Sequence, residues 1–202
     1  MKLKVCGMRS PDNINSLSAL APDYMGFIFW EHSKRFVSDE TPQLPQTIKK
    51  TGVFVDASVD YILDTIANHK LQALQLHGKE SPDFCKKLKS KELEIIKAFS
   101  VGKSFEFSDL EAYDSVCDYF LFDTKGDLPG GNGTRFNWSL LRDYPATKPF
   151  FLSGGIGPKD QNAIASIINL NLPLYAVDIN SKFEDQPAFK NIEMIKQFKA
   201  TL

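Results

Sequence analysis

The sequence predicts an α/β protein built as a compact, single-domain (β/α)8 TIM barrel with one or two short or irregular helices. Three observations carry that prediction. Eight short apolar runs recur along the 202 residues, most of them continuous rather than alternating, as strands buried on both faces of a parallel sheet require. Amphipathic helical segments lie between the runs. The runs follow one another at roughly 20–30 residues, the length of one strand–helix unit, and no shift in composition divides residues 1–202 into parts. The competing fold, an open doubly wound sheet, usually needs fewer strands.

The strand candidates are LKVC, YMGFIF, GVFV, ALQL, EIIKAF, YFLFD, FFLSGG and LYAVDI. After the first, SPDNINSLSAL offers Ser10 as a cap and Pro11 in the first turn, with Ile14, Leu17 and Leu20 on one face. ETPQLPQTIKK carries Pro42 and Pro45, so only a short helix is expected there. SVDYILDTIAN puts Val59, Ile62, Leu63 and Ile66 on one stripe. SPDFCKKLKS repeats the Ser-Pro opening at Ser81 and Pro82 and places Cys85 with Phe84 and Leu88 in the core. VGKSFEFSDLEAYDS and the Gly-rich segment after Asp123 read as irregular. GPKDQNAIASIINL is expected to begin a helix at Pro158 and to bury Ala163, Ile164, Ile167 and Ile168. NIEMIKQFKATL closes the chain on Ile192, Ile195 and Phe198.

Composition narrows the function. With 24 basic and 25 acidic residues the formal net charge is −1, which argues against a general nucleic-acid binder. No apolar run is long enough to cross a bilayer, and the opening MKLKVCGMRS is too short in its apolar part for a secretory signal. Cys6, Cys85 and Cys117 are odd in number and far apart, which suggests neither a disulfide framework nor a zinc site. A reduced, cytoplasmic protein is the expectation.

In a barrel, function sits at the C-terminal ends of the strands. At or just past those ends lie Cys6, Arg35 in the loop WEHSKRF, Asp56, His77, Lys97, Asp123, the SGG turn at 153–155, and Asp178. Cys6 reads either as a packed strand cysteine or as a reactive thiol at a strand end beside Gly7.

The segments KVCGMRSPDN, GFIFWEHSKRFV, GVFVD, LQLHG, FDT followed by GGNGTRFNW, LSGGI and AVDINSKFED occur in the order found in phosphoribosylanthranilate isomerases. The chain resembles that family over nearly its whole length. The resemblance implies a (β/α)8 barrel and the Amadori rearrangement of N-(5-phosphoribosyl)anthranilate to 1-(2-carboxyphenylamino)-1-deoxyribulose 5-phosphate in tryptophan biosynthesis. It implies Cys6 as general base, Asp123 as general acid and Arg35 as the holder of the substrate carboxylate. It also implies Gly154 and Gly155 of the SGG turn, with Asn180 and Ser181 of the VDINS loop, as the phosphate cradle. The partner is a small phosphosugar, with no metal and no cofactor, and the enzyme is expected as a monomer or homodimer. One departure stands out: the family usually has a serine pair and then a glycine where this chain reads Asn180, Ser181 and Lys182.

The residue types suit the chemistry. The reaction needs one acid for the furanose ring oxygen and one base for the C2 proton, on opposite sides of the sugar. A thiol with an unperturbed pKa near ~8.5 is within reach of neutral pH, and a Schiff-base cation beside it favours thiolate. An acid role for Asp123 requires a protonated carboxyl, which burial behind YFLF and the substrate's own negative charge favour. The Arg35 fork can meet both oxygens of a planar carboxylate. His77 either hydrogen-bonds the substrate or caps its turn, and Asp178 reads as a site-shaping acceptor or as a residue that orders its loop. Gly154 and Gly155 let backbone N–H groups approach a phosphate. GGNG at 130–133 reads as an active-site loop rather than a phosphate loop, and Lys182 is expected to face solvent. A histidine-pathway isomerase would share the phosphate site but use an aspartate in place of Cys6. A thiol-redox or non-catalytic barrel would not need Cys6, Arg35 and Asp123 together.

Overall fold

Eight parallel strands close into a barrel in chain order, and the first pairs with the eighth. They are β1 (Lys2–Val5), β2 (Tyr24–Ile28), β3 (Lys49–Phe54), β4 (Ala73–Leu76), β5 (Glu94–Val101), β6 (Tyr119–Thr124), β7 (Phe150–Leu152) and β8 (Leu174–Ile179). The structure is a computed structural model that describes residues 1–90, 92–126, 135–145 and 147–202. A small antiparallel hairpin, β9 (Glu184–Gln186) and β10 (Phe189–Lys190), follows the eighth strand.

Alternation along the strands creates two apolar layers. Met25, Leu74, Phe120, Phe122, Phe150, Leu152 and Val177 pack with helix residues such as Ile14, Ile62, Ile164 and Ile195. Their strand neighbours Tyr24, Ala73, Leu121, Phe151 and Ala176 form a separate cluster with Ile96 and Ala98 that among the described residues includes no helix residue, so they fill the barrel itself. The same parity places every inward-facing side chain farther along each strand.

The helices are α1 (Pro11–Ser18), α2 (Val59–His69), α3 (Pro82–Leu88), α4 (Gln161–Ile168) and α5 (Ile192–Lys199). Ser58, Ser81 and Asn191 accept hydrogen bonds from Tyr61, Phe84 and Met194 N–H groups, satisfying donors the first turns leave open. Ser10 precedes α1 without such a bond. Among the described residues, the connections after β5 and β6 hold only 3₁₀ helices, Phe107–Tyr113 and Trp138–Asp143, as the irregular sequence there suggested. No helix joins β2 to β3: with Pro42 and Pro45 the expected short helix does not form. Helix α4 begins at Gln161 rather than Pro158, because Asp160 Oδ2 accepts from Gly157 N–H at 2.8 Å and holds residues 157–160 as a turn. Two residues expected in the core face water, Leu63 at 49 % and Ile168 at 45 % exposure, since each lies one step past its helix's buried stripe. Among the described residues no helix is long and apolar enough to cross a membrane.

Candidate active site

Barrel parity brings most of the predicted residues together. Lys4 and Cys6 alternate with buried Leu3 and Val5, Gln75 and His77 with Leu74 and Leu76, Asp123 with Phe122, Ser153 with Leu152, and Asp178 with Val177. All therefore point into the C-terminal mouth of the barrel. Asp123 is 5 % exposed; its Oδ1 accepts from Thr124 N–H at 2.8 Å, and its Oδ2 lies 3.1 Å from His77 Nε2. His77 Nδ1 is 2.7 Å from Gln75 Nε2. With the Gln75 amide as donor, the ring N–H is Nε2 and faces Asp123. That approach is off the line of a directed hydrogen bond, and neither His77 Nε2 nor Gln75 Oε1 has a hydrogen-bond partner among the described residues. Gly154, at φ +86°, lets the β7 turn pass close to this carboxylate: a Cβ there would lie 3.0 Å from Asp123 Oδ1 and 2.3 Å from Thr124 Oγ1.

Across the mouth, Lys4 Nζ and Asp178 Oδ1 form a fully buried pair at 2.9 Å beside Cys6. Burial lowers the Lys4 ammonium, but Asp178 and Cys6 outweigh it and the group stays above its ordinary value. Burial pushes Asp178 above the usual carboxylate range, with Asp123 adding to the push and Lys4 opposing it. Ser153 Oγ reaches Asp178 Oδ2 at 3.4 Å. Burial also pushes the Cys6 thiol up; Lys4 and Lys190 pull it down without cancelling the effect. The resting group is the thiol.

Arg35 is held by a carboxylate of the protein. Its Nε donates to Glu184 Oε1 at 2.8 Å and its Nη2 to Glu184 Oε2 at 2.6 Å. Lys190 Nζ donates to the same Oε1, and Ala188 N–H reaches it at 3.2 Å. Burial raises Glu184, but its bonds from Arg35 and the charge of Lys190 hold its carboxyl below the usual range. Asn180 Oδ1 accepts from Lys190 Nζ at 2.8 Å, which fixes the side chain and leaves its amide NH2 and its backbone N–H as the donors it can offer an anion. Gly154 and Gly155 both adopt positive φ, at +86° and +62°, and Ser181 opens a 3₁₀ turn through Phe183. Lys182 is exposed, as expected, yet its stem crosses Gly157, where a Cβ would lie 3.1 Å from Lys182 Cδ.

Two residues of the sequence census lie elsewhere. Lys97 sits within β5 with its parity outward, between inward Ile96 and Ala98, and pairs with Glu80 at 3.1 Å. Asp56 accepts from Lys79 N–H at 2.6 Å and serves the loop that carries His77. The GGNG segment lies outside the described residues. Lys4, Gln75, Glu184 and Lys190 were not anticipated. A lysine two residues before Cys6 in an apolar strand could have been flagged by alternation alone; Glu184 and Lys190 lie in a polar hairpin with no local signal.

The family profile described as PRAI, N-(5'phosphoribosyl)anthranilate (PRA) isomerase, matches residues 3–201. The chain belongs to the phosphoribosylanthranilate isomerase family. It is 43 % identical to the N-(5'-phosphoribosyl)anthranilate isomerase of Parabacteroides distasonis, over 98 % of this chain and 91 % of that protein. It is 40 % identical to that of Phocaeicola vulgatus, over 98 % and 96 %. The crystal structure of phosphoribosyl anthranilate isomerase from Thermotoga maritima superposes with a TM-score of 0.80 at 30 % identity, covering 100 % of this chain and 98 % of that one. Another phosphoribosyl anthranilate isomerase, solved in complex with reduced 1-(o-carboxyphenylamino)-1-deoxyribulose 5-phosphate, matches with a TM-score of 0.76 at 29 % identity over 98 % and 96 %. As a phosphoribosylanthranilate isomerase, the chain is an isomerase of tryptophan biosynthesis. The histidine-pathway and non-catalytic readings fall away.

Proposed function

We propose that Asp123 is the general acid and Cys6 the general base of this isomerisation. The observation that carries the assignment is their placement: both project into one mouth, from β1 and β6, which are not neighbours in the barrel. A sugar between them meets one group on each side. Asp123 gives its proton to the furanose ring oxygen, and the C1–O bond breaks to a Schiff base. Cys6 thiolate then takes the C2 proton, and the enolamine tautomerises to the ketone. The cation that forms on the Schiff base lies beside a thiol otherwise held protonated, and favours its ionisation where the base is needed.

The substrate's two anionic ends fix the pose. Arg35 meets the anthranilate carboxylate. The Gly154–Gly155 turn and the backbone of Asn180 and Ser181 supply N–H groups to the phosphate, in the loops after β7 and β8 where barrels of this kind bind phosphate. His77 orients Asp123 or touches substrate, and Asp178 holds Lys4 beside Cys6. The whole of 1–202 acts as one domain in the cytoplasm, without metal or cofactor. It works as a monomer or homodimer; a relative from Thermotoga maritima is described as dimeric.

Asp123→Asn tests the acid role, because it keeps the shape and removes the transferable proton. Turnover of phosphoribosylanthranilate is expected to fall by about 10²–10⁴ while affinity for the reduced product stays within a few-fold. An affinity loss as large as the turnover loss would make Asp123 a binding residue instead.

A further inference from the structure

Arg35 is assigned to a substrate carboxylate, yet Glu184 already occupies its Nε–Nη2 edge with two parallel bonds. A guanidinium paired in this way presents little net charge to a second anion. Lys190 changes the balance. Its side chain is 0 % exposed, and its ammonium donates to Glu184 Oε1 and to Asn180 Oδ1. Two cations therefore share one carboxylate, and the group of three keeps a charge of +1. Its position is fixed by Gly7: a Cβ there would lie 2.5 Å from Arg35 Cδ and 2.7 Å from Asn180 Oδ1. Arg35 and Asn180 thus meet over the backbone next to Cys6. The backbone of Lys190 is itself clamped, since its N–H and C=O both bond the Asn13 side chain of α1, at 2.7 and 2.8 Å.

We propose that Lys190 is a positioning residue for carboxylate recognition: by sharing Glu184, it lets that residue lock Arg35 in place while the pocket stays positively charged towards the anthranilate carboxylate. The inference rests on the assignment of Arg35 made under the proposed function. The charged or titratable groups that face Lys190 are Glu184 of the hairpin, Cys6 at the end of β1 and Arg35 of the loop after β2. Burial and Arg35 lower the Lys190 ammonium to about 8, against the pull of Glu184 and Cys6. In the free enzyme the surplus charge is present below that pH and lost above it. An arginine at the same place would keep it.

The test is the affinity of two ligands, measured by calorimetry well below and well above pH 8: reduced 1-(o-carboxyphenylamino)-1-deoxyribulose 5-phosphate and the same compound without its ring carboxylate. The phosphate titrates alike in both, so their ratio isolates the carboxylate. In the unmodified enzyme the carboxylated ligand is expected to bind about ten-fold more weakly above that pH, and the ratio for Lys190→Arg to stay flat. Lys190→Met, checked for native circular dichroism, should show the weakened ratio at both pH values. A pH-dependent ratio that survives in Lys190→Arg, or an equal loss for both ligands in Lys190→Met, overturns the proposal. Arg35→Met separates the two assignments. Equal losses for both ligands there remove the carboxylate contact itself, whereas a carboxylate-dependent loss there with none in Lys190→Met removes only the role of Lys190.

Discussion

At the N-terminal end of the barrel the Tyr24 hydroxyl donates to Glu94 Oε2 at 2.9 Å and lies 3.2 Å from the Tyr175 hydroxyl; at the C-terminal end His77 Nε2 and Gln75 Oε1 have no directed partner among the described residues. The contrast extends to the charges. At the N-terminal end Lys49 pairs with Glu94 and Lys2 with Asp23 at 3.5 Å, all partly in water, while Lys2 and Lys49 also lie over the Tyr175 and Tyr24 rings. Tyr119 stacks on Tyr175 with ring centres 4.5 Å apart, so aromatic rings plug that end. At the other end Lys4, Lys190, Asp178 and Asp123 are buried, and Arg35 and Glu184 are half-buried beside them. Polar residues at a barrel end are thus no mark of a site in themselves. What separates the two ends is completeness: one satisfies its groups, the other keeps buried charge and open hydrogen-bonding positions, at a cost in stability that a site can explain.

The largest effect expected from this contrast is at Cys6. Cys6→Ser is nearly isosteric and should lower kcat by about 10²–10⁴ with circular dichroism unchanged. Tyr175→Phe, the control at the closed end, should leave kcat within about two-fold, near the limit of ~0.4 kcal/mol for a change that misses the site. Equal losses in both variants would erase the distinction between the ends. Next comes Arg35→Ala, expected to weaken binding of the reduced product by roughly ten- to a hundred-fold, the worth of about 1.5–3 kcal/mol for a charge-assisted bond. The loss should shrink when the ligand lacks its carboxylate, and a loss that does not shrink would assign Arg35 to scaffolding.

Tyr24→Phe probes the closed end from the other direction. It removes the hydroxyl that meets Glu94, so the denaturation midpoint should drop by an equivalent of about 0.5–1.5 kcal/mol, with kcat unchanged. A fall in kcat without a fall in stability would show that the N-terminal end takes part in catalysis. The smallest effect belongs to Lys182→Gly. With the ammonium exposed and the Gly154–Gly155 turn supplying donors, KM should change by less than about three-fold, under ~0.7 kcal/mol. A ten-fold rise confined to the phosphorylated substrate would place Lys182 on the phosphate, a contact its path across Gly157 brings within consideration.

What the sequence made legible follows from how local each signal is. All eight strands could be read because buried parallel strands are continuous apolar runs, and that pattern needs no knowledge of partners. Cys6, His77, Asp123 and Asp178 could be placed at strand ends for the same reason, since a polar residue that ends an apolar run is visible in one dimension. Lys97 misled because its outward parity depends on register within β5, and its true role is to pair with Glu80. Leu63 and Ile168 misled because an apolar residue beside a helical stripe looks like part of it. The hold of Glu184 on Arg35 joins residues 149 apart in the chain, and only closure of the barrel brings them together. No pattern near either residue records it.

The central claim is that the acid and the base face the sugar from two sides of one mouth, and the most direct measurement is a crystal structure of this chain with the reduced product bound. Cys6 Sγ is predicted within about 3.5–4 Å of C2, and Asp123 within hydrogen-bond distance of the oxygen on C4 that leaves the ring. A pose that turns C2 away from Cys6, or puts both residues on the same side of the sugar chain, would contradict the account.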